Sequence, residues 1–105
     1  MAKIIFKSGQ EVPISFFGIS QMGILYIDCN LSITEAFLTF SNEENISEFK
    51  YVREVEVDNH KFENRETIIT DFGIFVGIQN LYNGIDEGDP SIRITLMRRT
   101  ETIHI

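Results

Sequence analysis

The stretch SEFKYVREVEVDNHKFENRETII, residues 47–69, decides what kind of fold the chain can adopt. From Ser47 to Val57 its side chains alternate, with Phe49, Tyr51, Val55 and Val57 on one side. A strand sends successive side chains to opposite faces, so a period of two suits a half-buried strand and not a helix. Arg53 interrupts the apolar side, which implies partial exposure or a charge partner there. Asp58-Asn59-His60 then supplies turn chemistry, and Lys61 to Ile69 is expected to pair back as a hairpin.

The same pattern extends outward in both directions. Ala2 to Lys7 reads as a strand, Ser8-Gly9-Gln10 as a turn, and Glu11-Val12-Pro13-Ile14 as the returning strand. Pro13 has no N–H for a ladder, which places its strand at an edge or a bend. Phe16, Phe17, Gly18 and Ile19 read as an apolar connector, and Ile24 to Cys29 as a further strand. One helix is expected at 33–41. Ser32 and Glu35 have capping-box spacing, and Ile33, Ala36, Phe37 and Phe40 recur at i, i+3, i+4 and i+7. The two Phe residues are expected to anchor that helix to the sheet. Ser41 to Asn45 reads as a polar loop. Ile74-Phe75-Val76-Gly77-Ile78 is nearly all apolar, as for a strand buried on both faces or lying at an interface. Ser91 to Met97 is the last strand, with Ile92, Ile94 and Leu96 on one face.

Composition agrees. The 105 residues include 17 Ile, 5 Val and 7 Thr against 5 Leu and 2 Ala, with nine Phe and three Tyr. β-Branched and aromatic side chains pack well on a pleated surface and lose rotamer freedom in a helix. The expected fold is mostly β or α+β. It is a single domain over 1–105, a small antiparallel sheet or sandwich of about six to seven strands with one short capped helix.

Charge and cysteine content remove several function classes. The formal net charge is −7 and Cys29 is the one cysteine. An intramolecular disulfide framework is excluded, and a cysteine-based zinc site lacks ligands. Overall acidity argues against non-specific nucleic-acid binding. No stretch reaches the length of a signal-peptide core or a membrane span, so the expected location is the cytoplasm at synthesis, with incorporation into a virion left open.

Candidate chemistry is sparse. The acidic turn Asn83, Asp86, Glu87 and Asp89 lacks the spacing of a calcium loop and reads better as a solvated turn. His60 beside Asp58, together with His104, could hold a metal only if the C-terminal tail folds back. Cys29 ends an apolar strand and reads better as core than as a nucleophile. No Gly-rich phosphate loop, nucleophile elbow or metalloprotease motif occurs. No catalytic residue, cofactor or metal is therefore expected. Arg93, Arg98 and Arg99 gather near the C-terminus. If the last strand is an edge, they either guard it against unwanted pairing or meet an acidic partner; three arginines are few for nucleic-acid binding.

The leading hairpin IIFKSGQEVPI, the helix segment LSITEAFLTFSNEENISEF and the closing strand SIRITLMRR resemble small accessory proteins of phage tail modules. These are encoded near the tail and baseplate genes of phages and prophages of Gram-positive bacteria. The resemblance touches residues 1–14, 31–52 and 91–99. It implies a non-enzymatic virion or assembly component able to oligomerise, and carries over no catalytic residue.

The expected function is therefore a structural or assembly role through protein–protein contacts, in a homo-oligomer or hetero-assembly, without nucleic acid or membrane. The expected contact residues are Phe16, Phe17, Ile74, Phe75, Val76, Arg93, Arg98 and Arg99. Two rivals stand beside it: a small acidic regulatory or inhibitory binder of a host protein, and a small-molecule or sugar-binding β module using Tyr51 and Tyr82.

Overall fold

The computed structural model describes residues 2–58, 61–81 and 92–98. The chain opens with a hairpin of β1 (Ala2–Phe6) and β2 (Glu11–Ile14), closed by Gly9 at φ 93°, a conformation that favours glycine. β3 (Phe16–Ile19) and β4 (Ile24–Cys29) follow, then α1 (Ile33–Phe40) and α2 (Glu43–Ser47). The long hairpin β5 (Phe49–Val57) and β6 (Lys61–Ile69) comes next, and β7 (Ile74–Asn80) and β8 (Ile92–Met97) complete the described elements.

These strands form two antiparallel four-stranded sheets, ordered β2-β1-β5-β6 and β3-β4-β8-β7. The mostly-β expectation is met, with eight strands in place of about six to seven. The extra strand is β3. Phe16 to Ile19 does not alternate between apolar and polar, so it resembles a connector until its pairing with Asp28 to Leu25 is seen.

One core lies between the sheets. Ile4, Phe6, Val12 and Ile14 of the first sheet meet Leu25, Ile27, Ile92, Ile94 and Leu96 of the second, with Ala36, Phe40 and Ile46 from the helices. Phe6 is the hub. Its ring lies edge-on to Phe40 at 5.5 Å and to Phe49 at 6.2 Å. Phe17 of β3 stacks flat on Tyr51 of β5, centroids 3.9 Å apart, which ties the edge strand of the second sheet to the first sheet.

The helix at Ile33–Phe40 is capped as its spacing foretells: the Glu35 N–H donates to Ser32 Oγ at 3.1 Å. Its buried face is rotated from the expected stripe. Ala36, Thr39 and Phe40 are buried, whereas Ile33 and Phe37 are each 52% exposed. Phe40 thus anchors the helix, and Phe37 rests edge-on against Phe75 of β7 at its open flank. Within the expected polar loop Ser41 to Asn45, α2 instead starts at Glu43 and runs on to Ser47. Asn42 caps it by accepting from the Glu44 N–H, and the Asn45 side-chain amide donates to the Thr39 carbonyl, binding the two helices together.

Three edges are blunted. β2 has four residues and carries Pro13, β3 has four residues, and β7 has a register shift between Phe75 and Gly77. Short strands, proline and bulges all discourage unwanted pairing. The last strand, β8, is not an edge at all: it lies between β4 and β7. Arg93 and Arg98 therefore do not guard an edge. Strand order depends on the long-range pairing of β4 with β8, which local patterns do not carry. The stretch Ile74 to Ile78 is likewise not buried on both faces. β7 closes the second sheet, and Val76 at its bulge is 52% exposed.

The molecule is elongated. Its radius of gyration is 14.9 Å and its extents are 54 × 36 × 29 Å. A compact chain of this length has a radius of gyration of about 13 Å. Nine-residue strands are about 30 Å long, yet β1 pairs only with Phe49 to Arg53. Among the described residues Glu54 to Val57 find strand partners in β6 alone and, with it, form a two-stranded arm that runs beyond β1.

Candidate protein-interaction surfaces

Strand register sorts the expected contact residues onto different faces. In the second sheet, Leu25, Ile27 and Cys29 face the core with Ile92, Ile94 and Leu96. Tyr26, Asp28, Arg93, Thr95 and Met97 therefore face outward, joined by Phe16 and Gly18 from β3 and by Ile74 from β7.

On that outward face Arg93 is held by a carboxylate and two rings. Its Nε donates to Asp28 Oδ1 at 2.7 Å and its Nη2 to Asp28 Oδ2 at 3.0 Å. The guanidinium lies 5.6 Å from the Phe16 ring centre and 5.4 Å from that of Tyr26. A bidentate guanidinium–carboxylate pair is strong and geometrically specific, and the ring faces attract the same cation. Hydrogen bonding to Asp28 raises the Arg93 pKa further above its already high value. Asp28 itself is 5% exposed. The Phe16 ring closes this cluster by lying over Gly18, where a Cβ would fall 2.6 Å from it.

The other expected residues do not join this cluster. Phe17 turns inward onto Tyr51. Phe75 faces the helices, whereas Ile74, 40% exposed, lies outward beside Met97. Arg98 spreads over the Phe72 ring at 5.3 Å, and its backbone N–H donates to the Gly23 carbonyl. Arg99, Tyr82, the acidic turn 83–89, His60 and His104 lie outside the described residues. Cys29 is buried in the core, and desolvation there pushes its thiol pKa up. A thiol held protonated is a poor nucleophile.

The chain matches no family model, no curated protein and no solved structure.

Among the described residues three surfaces are exposed. One is the outward face of the second sheet just described. The second is the flank of α1, where Ile33, Phe37 and Leu38 are exposed next to Phe75. The third is β6, exposed along its length except at Ile69, with Phe62 and Ile68 open to solvent. A shallow groove across β1, β5 and β6 is lined by Ile5 and Ile68, with the ion pair Lys7–Glu48 and Lys50 at its rim. β6 was read correctly as a strand from its sequence, but not as a contact element. That no described strand pairs with its outer edge is a property of topology, so no local signal marks it. Asp28 was also missed as the partner of Arg93. The available signal was a carboxylate inside the apolar run Ile24 to Cys29, since a buried charge needs a counter-charge.

No helix among the described residues is long and apolar enough to cross a membrane.

Proposed function

We propose that this chain is a non-enzymatic structural or assembly subunit that acts through protein–protein contacts, as a tail-associated component of a phage or prophage would. The observation that carries the reading is the β5–β6 arm. It projects beyond its sheet, and its outer strand is nine residues long without proline or register shift. A two-stranded ribbon is marginal alone in water, and a third strand added to its edge supplies the missing ladder. The apolar flank of α1 and the aromatic face around Phe16 add area that a neighbouring subunit can cover.

The test has two parts. Light scattering after size exclusion gives the native mass of the purified chain, and sedimentation of a lysate from the encoding cells gives the mass of the particle that carries it. A defined oligomer, or co-migration with a larger particle, is expected. A strict monomer in both settings overturns the reading.

A further inference from the structure

We propose that β6 is a self-recognition edge: it pairs antiparallel with β6 of a second copy of this chain, about a two-fold axis through Asn64. This deepens the assembly reading and rests on it.

The four sheet edges differ in how they are protected. β2, β3 and β7 carry short length, proline or a bulge, and β6 carries none of these. Charged side chains are another way to protect an edge, and β6 has four of them, Lys61, Glu63, Arg65 and Glu66, with Lys50 of β5 pairing with Glu66. The arrangement of these charges, however, is self-complementary.

A two-fold axis normal to a sheet pairs residues whose numbers sum to a constant and keeps each residue on its own face. With the axis at Asn64, Asn64 meets Asn64 of the second copy. Glu63 meets the second copy's Arg65, Arg65 meets its Glu63, and Lys61 meets its Thr67. On the opposite face Phe62 meets Glu66. Both central contacts then join opposite charges, and no like charges lie directly opposite across the new ladder. Moving the axis by one residue, to Arg65, puts two arginines face to face.

The isolated chain also contains a conflict that this pairing relieves. Arg53 and Arg65 are direct cross-strand partners in the β5–β6 ladder. Like charges directly opposite one another destabilise a strand pair. Among the described residues neither Glu63 nor Arg65 makes an ion pair. In the two-fold pairing the second copy's Glu63 comes alongside Arg65, so a carboxylate enters next to the two guanidinium groups. The result is a continuous eight-stranded sheet formed from the first sheets of two copies.

The test is disulfide capture together with charge reversal in the purified chain. Directly opposed residues of an antiparallel pair have Cα atoms about 4.5–5.5 Å apart, within the range a disulfide spans. Under mild oxidation N64C is expected to form a covalent dimer. T67C is not, because the two Thr67 positions then lie about 20 Å apart along the ladder. The native Cys29 is buried and does not compete. E63R and R65E are each expected to raise the dimer dissociation constant roughly tenfold or more, because each changes two symmetric contacts. The double variant E63R/R65E is expected to restore it, with circular dichroism confirming that all are folded. A monomeric wild type, capture at Thr67 in place of Asn64, or dimerisation indifferent to either reversal overturns the proposal. If the chain nevertheless sediments with a larger particle, only the self-pairing falls; if it is monomeric there too, the assembly reading falls with it.

Discussion

Removing the guanidinium of Arg93 strands a carboxylate that has almost no contact with water. Asp28 is 5% exposed and its two oxygens are both taken by Arg93. Breaking a buried pair from one side costs 3–5 kcal/mol in general, and Arg93 keeps about a third of its side chain exposed, so water can partly substitute. Arg93→Ala is therefore expected to lower unfolding free energy by about 3 kcal/mol in urea titration. The double variant Asp28→Leu with Arg93→Leu is expected to lose clearly less, because it leaves no uncompensated charge. Equal losses would show that the cost is packing against Phe16 and Tyr26 and not the ion pair. Cys29 gives a second residue-level expectation. Burial raises its thiol pKa in the folded state. Above the unfolded thiol value of about 8.5 the unfolded chain then binds fewer protons than the folded one, so stability falls as pH rises. Below that value the contribution is fully present. Cys29→Ala is expected to flatten the alkaline side of the stability–pH curve relative to wild type, after subtraction of its constant cavity cost.

At the scale of elements, what could be read locally was read well, and what depends on distant partners was not. The β5–β6 hairpin declares itself because alternation and turn chemistry are both local, although β5 starts at Phe49 and not at Ser47, which belongs to α2. The cap of α1 is local too. Ser32→Ala is expected to cost about 1 kcal/mol, measured by thermal or urea unfolding, because it removes the acceptor for the Glu35 N–H. By contrast, α2 spans five residues, too few for an amphipathic period, and Asn42, Glu43 and Glu44 suit a loop as well as a capped turn. β3 has no alternation, and only its partner β4 makes it a strand. The face of α1 was misjudged for a similar reason. Its stripe admits several rotations, and the docking of α2 through Asn45 selects the one that buries Thr39. The Asp28–Arg93 pair joins residues 65 positions apart, and the order β3-β4-β8-β7 that creates it has no local signature. The contact residues expected from sequence were consequently dispersed: Phe17 went to the core, Arg93 to Asp28, and the open edge fell on a strand chosen for other reasons.

For the whole molecule, the negative charge and the elongated shape combine into one expectation about the arm. A chain carrying −7 repels its own copies at long range, so association needs a local surface where charges alternate in sign. The outer half of the β5–β6 hairpin is such a surface, and the core does not depend on it. Phe49, Tyr51 and Ile69 pack at its base, whereas Glu54 to Val57 find strand partners among the described residues in β6 alone. Replacing residues 54–64 by Asn-Gly, a two-residue turn suited to closing Arg53 onto Arg65, removes the arm and leaves the base intact. The shortened chain is expected to stay folded, with unfolding free energy changed by no more than about 1 kcal/mol. In small-angle scattering the shortened chain is expected to be a monomer with a radius of gyration near the roughly 13 Å of a compact chain, against a clearly larger value for the self-associated wild type. A shortened chain that loses cooperative unfolding would mean instead that the arm is part of the folding core, and its projection beyond the sheet would then need a structural rather than an associative explanation.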